Sequence, residues 1–70
     1  MNDGTNEILL NGRSHQTGAT TIAELAGELS PAPQTLLIEH NHIALHRSEW
    51  QTVNLQPNDR VEVLQVSAGG

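Results

Sequence analysis

Glu7-Ile8-Leu9-Leu10-Asn11-Gly12-Arg13-Ser14-His15-Gln16-Thr17 is the stretch from which the rest of this 70-residue chain is laid out. Asn-Gly between two short runs is the strongest local hairpin signal, because both central residues of a type I′ turn need positive φ. The alternation predicts two strands, with Ile8 and Leu10 on one face and Leu9 on the other. The second strand is polar and belongs at a sheet edge, where polarity discourages pairing with another chain. Residues 1–5 read as a disordered start.

Outward from the hairpin, Gly18-Ala19-Thr20 is a connector and Thr21-Ile22-Ala23-Glu24 is a Thr-x-x-Glu capping box. Ile22, Leu25, Ala26 and Leu29 then recur at helical spacing and form one apolar stripe, which leaves Glu24 and Glu28 to solvent. Ser30-Pro31-Ala32-Pro33 ends this helix, since neither proline continues it. Thr35 to His40 is a third strand, Asn41-His42 a turn, and Ile43-Ala44-Leu45 a short return strand. Arg47 to Trp50 reads as irregular, with Trp50 packed beneath it as an anchor. Val53 and Leu55 return to the core, residues 55–59 turn by composition, and Arg60 to Val66 form the last strand.

One helix must cover one face of a mixed sheet, because neither element buries its apolar side alone. The fold expected is α+β: a β-grasp, the ubiquitin-like arrangement, with four or five strands, one main helix and a flexible C-terminal tail. Residues 1–66 make the single domain and 67–70 the tail. A chain of this size holds one small core, here aliphatic, with one Trp and no Phe, Tyr or Cys.

Composition removes several function classes. No apolar run reaches membrane-spanning length, and the polar, acidic start is not a signal peptide, so a cytoplasmic location is expected. The net charge of −5 argues against nucleic acid and suits partners with basic docking surfaces, although solubility accounts for the sign equally well. All three cationic side chains are Arg. A chain without Lys lacks most of the amines that an activated C-terminus would acylate; drift towards Arg and Gln explains the same count.

His40, His42 and His46 lie close in sequence, but the turn at Asn41 separates the first two, and no Cys or acid completes a ligand spacing. They are expected to be exposed loop histidines, with no metal. No nucleophile, base and orienting group stand at a known spacing, and no Gly-rich phosphate loop is present, so no intrinsic catalysis is expected. In the last strand Val61 and Val63 alternate with Arg60 and Glu62, whereas Leu64 and Val66 fall on the opposite face. Either a bulge resets the register, or the outer face carries an apolar docking patch shared with Leu9. The tail itself, Ser67-Ala68-Gly69-Gly70, is either a frayed end or a slender arm that offers a terminal carboxylate to a partner's slot.

Three stretches carry a family likeness: Ile8 to Gly12, Asn41-His42-Ile43-Ala44-Leu45-His46-Arg47-Ser48-Glu49-Trp50, and Asp59 to Val63 through Gly69-Gly70. With the helix between them, the chain resembles the sulfur carrier proteins of bacterial thiamine biosynthesis, small ubiquitin-like proteins ending in Gly-Gly. It departs at His46, where the family often has Pro. The resemblance implies a carrier, not an enzyme, and one that binds no cofactor. The Gly70 carboxylate would be adenylated with ATP by a partner resembling ubiquitin-activating enzymes, then converted with cysteine-derived sulfur to a thiocarboxylate for thiazole synthase. Gly69, Ala68 and Ser67 would give reach, Val66 and Leu64 would meet the partners, and the free carrier would be a monomer. The small subunit of molybdopterin synthase and an inert ubiquitin-like binding module are the competing readings.

Overall fold

The hairpin forms where Asn-Gly places it. The computed structural model describes residues 4–66, and in it β1 (Asn6–Leu10) and β2 (Arg13–Thr17) pair antiparallel from Asn6↔Thr17 to Leu10↔Arg13. Asn11 and Gly12 take φ of 52° and 82°, as the two-residue turn demands. The Thr5 hydroxyl donates to Gln16 Oε1 on β2 at 2.9 Å.

Helix α1 (Ile22–Leu29) begins at the Thr21 cap, whose side chain accepts from the Glu24 N–H. The reciprocal half of the capping box is displaced by one residue. The Glu24 carboxylate accepts from the Thr20 N–H at 2.7 Å and the Thr20 hydroxyl at 3.0 Å, and these two bonds hold its pKa below the ordinary value. The other amides of the first turn, which have no partner inside the helix, donate outward. Ile22 N–H reaches the Val53 carbonyl and Ala23 N–H the Trp50 carbonyl, both at 3.0 Å. The loop after β4 is thereby stitched to the helix start. Glu28 is exposed, as expected, and its carboxylate also accepts from the Thr17 hydroxyl at 2.8 Å and lies 3.3 Å from His15 Nε2 on β2.

After the helix, Pro33–Thr35 forms a 3-10 turn, so β3 begins at Leu36 and not at Thr35. β3 (Leu36–His40) and β4 (Ile43–Leu45) form a second hairpin across Asn41-His42, both at positive φ. Arg47–Glu49, expected to be irregular, is a second 3-10 turn in which Glu49 Oε1 accepts from the His46 N–H at 2.7 Å. Trp50 is buried behind it, with the Arg47 guanidinium 5.9 Å from its ring centroid.

β5 (Arg60–Gln65) completes one five-stranded mixed sheet in the order β2-β1-β5-β3-β4. β5 is antiparallel to β3 and parallel to β1, so the last strand is the middle one. The helix lies on one face, and Ile8, Ile22, Leu25, Ala26, Leu36, Ile38, Trp50, Leu55 and Val61 close the core between the two layers.

Candidate functional site

β5 decides what the sheet presents. Its pairing with β3 runs without a break from His40↔Val61 to Leu36↔Gln65. No bulge resets the register, so of the two readings of this strand the regular one holds. Val61 and Val63 point to the core, while Leu64 stands on the outer face at 65% exposure, directly opposite Leu37 at 56%. Val66, also exposed, follows, and its N–H donates to the Thr35 carbonyl at 2.8 Å.

Leu37 shares the exposed outer face with Leu64, and the sequence reading did not single it out. The signal was present: Leu36-Leu37-Ile38 is a run of three apolar residues in a strand of period two, so one of them must face out. Leu37, Leu64 and Ala44 line a shallow depression with Glu39, His42 and Glu62 around it. Glu39 and Glu62 are themselves register partners. Like charges placed opposite one another weaken a sheet, so this face is acidic and apolar at the expense of the fold.

The base of the last strand is held by two asparagines. Asn11 Oδ1 accepts from the Val63 N–H at 2.7 Å, and its Nδ2 donates to the Val63 carbonyl at 3.2 Å. The side-chain amide stands in for one more peptide of β1 and extends the parallel ladder beyond the turn. Asn41 Oδ1 likewise accepts from the Arg60 N–H, at 2.8 Å.

His40 corrects another expectation. It is no loop histidine; it ends β3 on the core side, and its Nε2 donates to Asp59 at 2.7 Å, with side chains 17% and 11% exposed. Asp59 also accepts from the Gln56 N–H at 2.9 Å and the Asn41 amide at 3.2 Å. Burial pushes the Asp59 carboxyl up, but His40, Gln56 and Asn41 outweigh it and hold the carboxyl below its ordinary value. Among the described residues, no group of three His, Asp or Glu side chains is placed to hold a metal ion. No helix among them is long and apolar enough to cross a membrane.

Of the residues expected to form the site, Leu64 and Val66 are therefore on the exposed face, at the end of β5 that leads to residues 67–70. Ser67, Ala68, Gly69 and Gly70 lie outside the described residues.

The family model for the ThiS family matches residues 8–70, from the first strand to the final glycine. The chain belongs to the ThiS family. Its sheet and helix are those of the ThiS fold: the crystal structure of the thiamine biosynthesis protein ThiS from Geobacter metallireducens is similar to it with a TM-score of 0.74 and 25% identity. That similarity covers 91% of this chain and 99% of the other. The mixed sheet covered by one helix is thus the β-grasp expected from the sequence. A thiazole synthase from Magnetococcus marinus is 35% identical over 65 residues, covering 91% of this chain but 20% of that protein. The ThiS-family chain spans about a fifth of the length of this curated relative. The family is that of the sulfur carriers of thiamine biosynthesis.

Proposed function

We propose that this protein carries sulfur on the terminal carboxylate of Gly70 for assembly of the thiazole moiety of thiamine. The observation that supports this most directly is the extent of the family match, which runs to the Gly-Gly end. The reading takes Gly70 as the last residue, residues 1–66 as one domain, and 67–70 as a flexible arm.

The chemistry explains why a carrier needs partners. A carboxylate is a poor electrophile. Attack of the Gly70 carboxylate on the α-phosphorus of ATP, in an adenylating partner, releases pyrophosphate and leaves an acyl adenylate. A cysteine-derived sulfur nucleophile then attacks the acyl carbon and AMP departs, so one carboxylate oxygen is replaced by sulfur. The thiocarboxylate is a soft nucleophile at the end of a slender arm. Thiazole synthase is the acceptor, a reading supported by the 65-residue likeness within a longer thiazole synthase chain. ATP belongs to the partner, and the carrier holds no resident cofactor. Leu37, Leu64 and Val66 meet the partners, and the acidic surround suits basic docking surfaces. The carrier works in the cytoplasm as a free monomer.

The test is intact mass after incubation with the adenylating partner, ATP and a sulfur source. A gain equal to sulfur for oxygen, confined to the C-terminal peptide, is expected; no gain overturns the function. Deleting Gly70, or adding one residue after it, should abolish the gain and leave the unfolding midpoint unchanged. Sulfur loading that survives either change would show that the terminus is not the working group.

A further inference from the structure

On the outer face the β3–β5 ladder sets two unlike rungs side by side. Leu37 pairs with Leu64, and two residues along each strand Glu39 pairs with Glu62. Residues two apart in a strand share a face, so the acidic rung lies about 7 Å from the apolar one. On its other side Glu39 is paired with Ala44 of β4, whose side chain ends at Cβ. The row Ala44, Glu39, Glu62 is therefore low at one end, and it opens with Leu37 and Leu64 into a depression of about 660 Å³.

The acidic rung is not neutralised from within. Among the described residues the ion pairs are His15–Glu28 and His40–Asp59. The Arg47 guanidinium donates to the Gln34 carbonyl. Arg60, two positions from Glu62 on β5, makes no ion pair with it. Two carboxylates facing each other across a ladder repel, and a cation between them would turn that repulsion into two attractions.

The surroundings select the cation. Ca²⁺ takes about six to eight oxygen ligands, whereas Leu37, Leu64 and Ala44 beside the two glutamates have no side-chain oxygen. A lysine ammonium is compact and strongly hydrated, and the apolar rung would strip that water. A guanidinium is weakly hydrated and carries its donors in one plane, so it can bond both carboxylates while a face lies against leucine. A second copy of this chain would bring the same carboxylates and a net charge of −5 to the contact, which opposes self-association.

We propose that this depression is the docking site for an arginine of a partner protein, its guanidinium held between Glu39 and Glu62 and its aliphatic neighbours seated on Leu37 and Leu64. That the protein is the adenylating partner rests on the proposed carrier function.

The test measures capture of the carrier by the adenylating partner without ATP, by titration calorimetry, so that no chemistry follows binding. Glu39→Gln and Glu62→Gln should each raise Kd about tenfold, and the double variant should raise it further. Each should leave the urea midpoint unchanged or higher, since a repulsion is removed; a lower midpoint would make the carboxylates structural and overturn the inference. Glu28→Gln removes the same charge from helix α1, on the other side of the sheet, and should change Kd by no more than about twofold. Weakening equal to that of Glu62→Gln would leave only long-range steering, and the inference would fall. In the partner, one exposed arginine changed to Ala should weaken capture of the wild type and add nothing to E39Q/E62Q. The absence of any arginine coupled in this way, or full rescue by Lys in its place, overturns the occupant proposed. Equal capture of wild type and E39Q/E62Q defeats this inference alone, whereas a wild type that the partner does not bind defeats the carrier reading with it.

Discussion

Asn11 and Asn41 each do two jobs, and only one of them is written locally. The positive φ that makes an Asn-Gly or Asn-His turn is a property of adjacent residues, and the hairpins followed from it. That the Asn11 amide would also pair with Val63, 52 positions away, depends on which strand comes to lie beside β1. His40 shows the same limit. Its neighbours Asn41 and His42 mark a turn, and nothing nearby announces Asp59, 19 positions on. The Asp59 carboxyl makes the sharper prediction. Its folded-state value lies below its ordinary value of 3.8, so the stability it contributes is fully present above that value and is lost as pH falls through the folded one. Unfolding free energy measured from pH 6 down to pH 2 should therefore drop less steeply in Asp59→Asn than in the wild type, from a lower plateau; parallel acid limbs would show that the carboxyl is not so coupled.

At the level of elements, what has a period was legible and what has none was not. Helix α1 was placed by its stripe, its Thr21 cap and the prolines beyond, and all three hold. The two 3-10 turns have no recurring pattern, and both replaced what had been read as strand or irregular chain. Helical spacing points Glu28 away from Ile22 and into solvent, where it lies, but spacing alone does not show that β2 ends beside it with Thr17. Gly27 offers a clean measurement. It is an exposed interior position of α1 where an added Cβ would meet nothing within 4 Å. Gly27→Ala should stabilise the protein by up to about 1 kcal/mol, through helix propensity alone. Urea titration should show a higher midpoint with the same slope; a lower midpoint would mean that the helix start or the β2 contact depends on the bend that glycine allows.

For the molecule as a whole, the sequence indicated a mixed sheet but did not fix its order. Which strand sits in the middle depends on long-range pairing, and a parallel neighbour such as β1 leaves no turn signal between itself and β5. The outer face was half legible: Leu64 and Val66 were suspected, and Leu37 and the Glu39–Glu62 pair came from the register. Leu64→Asp tests the face as a whole. At 65% exposure, the change should shift stability by no more than about 0.5 kcal/mol. It should weaken capture by the adenylating partner about tenfold, an apolar contact being lost and an unpaired charge introduced. Unfolding of the variant would return Leu64 to the core, and unchanged capture would move docking to another face.

The middle position of β5 also has a mechanical side. A partner that draws the chain beyond Val66 into a narrow slot pulls along the strand axis. β5 is bonded to β3 on one side and to β1 on the other, and these bonds lie across the direction of pull. They are loaded in shear and must yield together, whereas an edge strand peeled sideways gives way one bond at a time. A tug on the last residues is therefore borne by the whole width of the sheet. The domain can be hauled by its end without being unravelled from it.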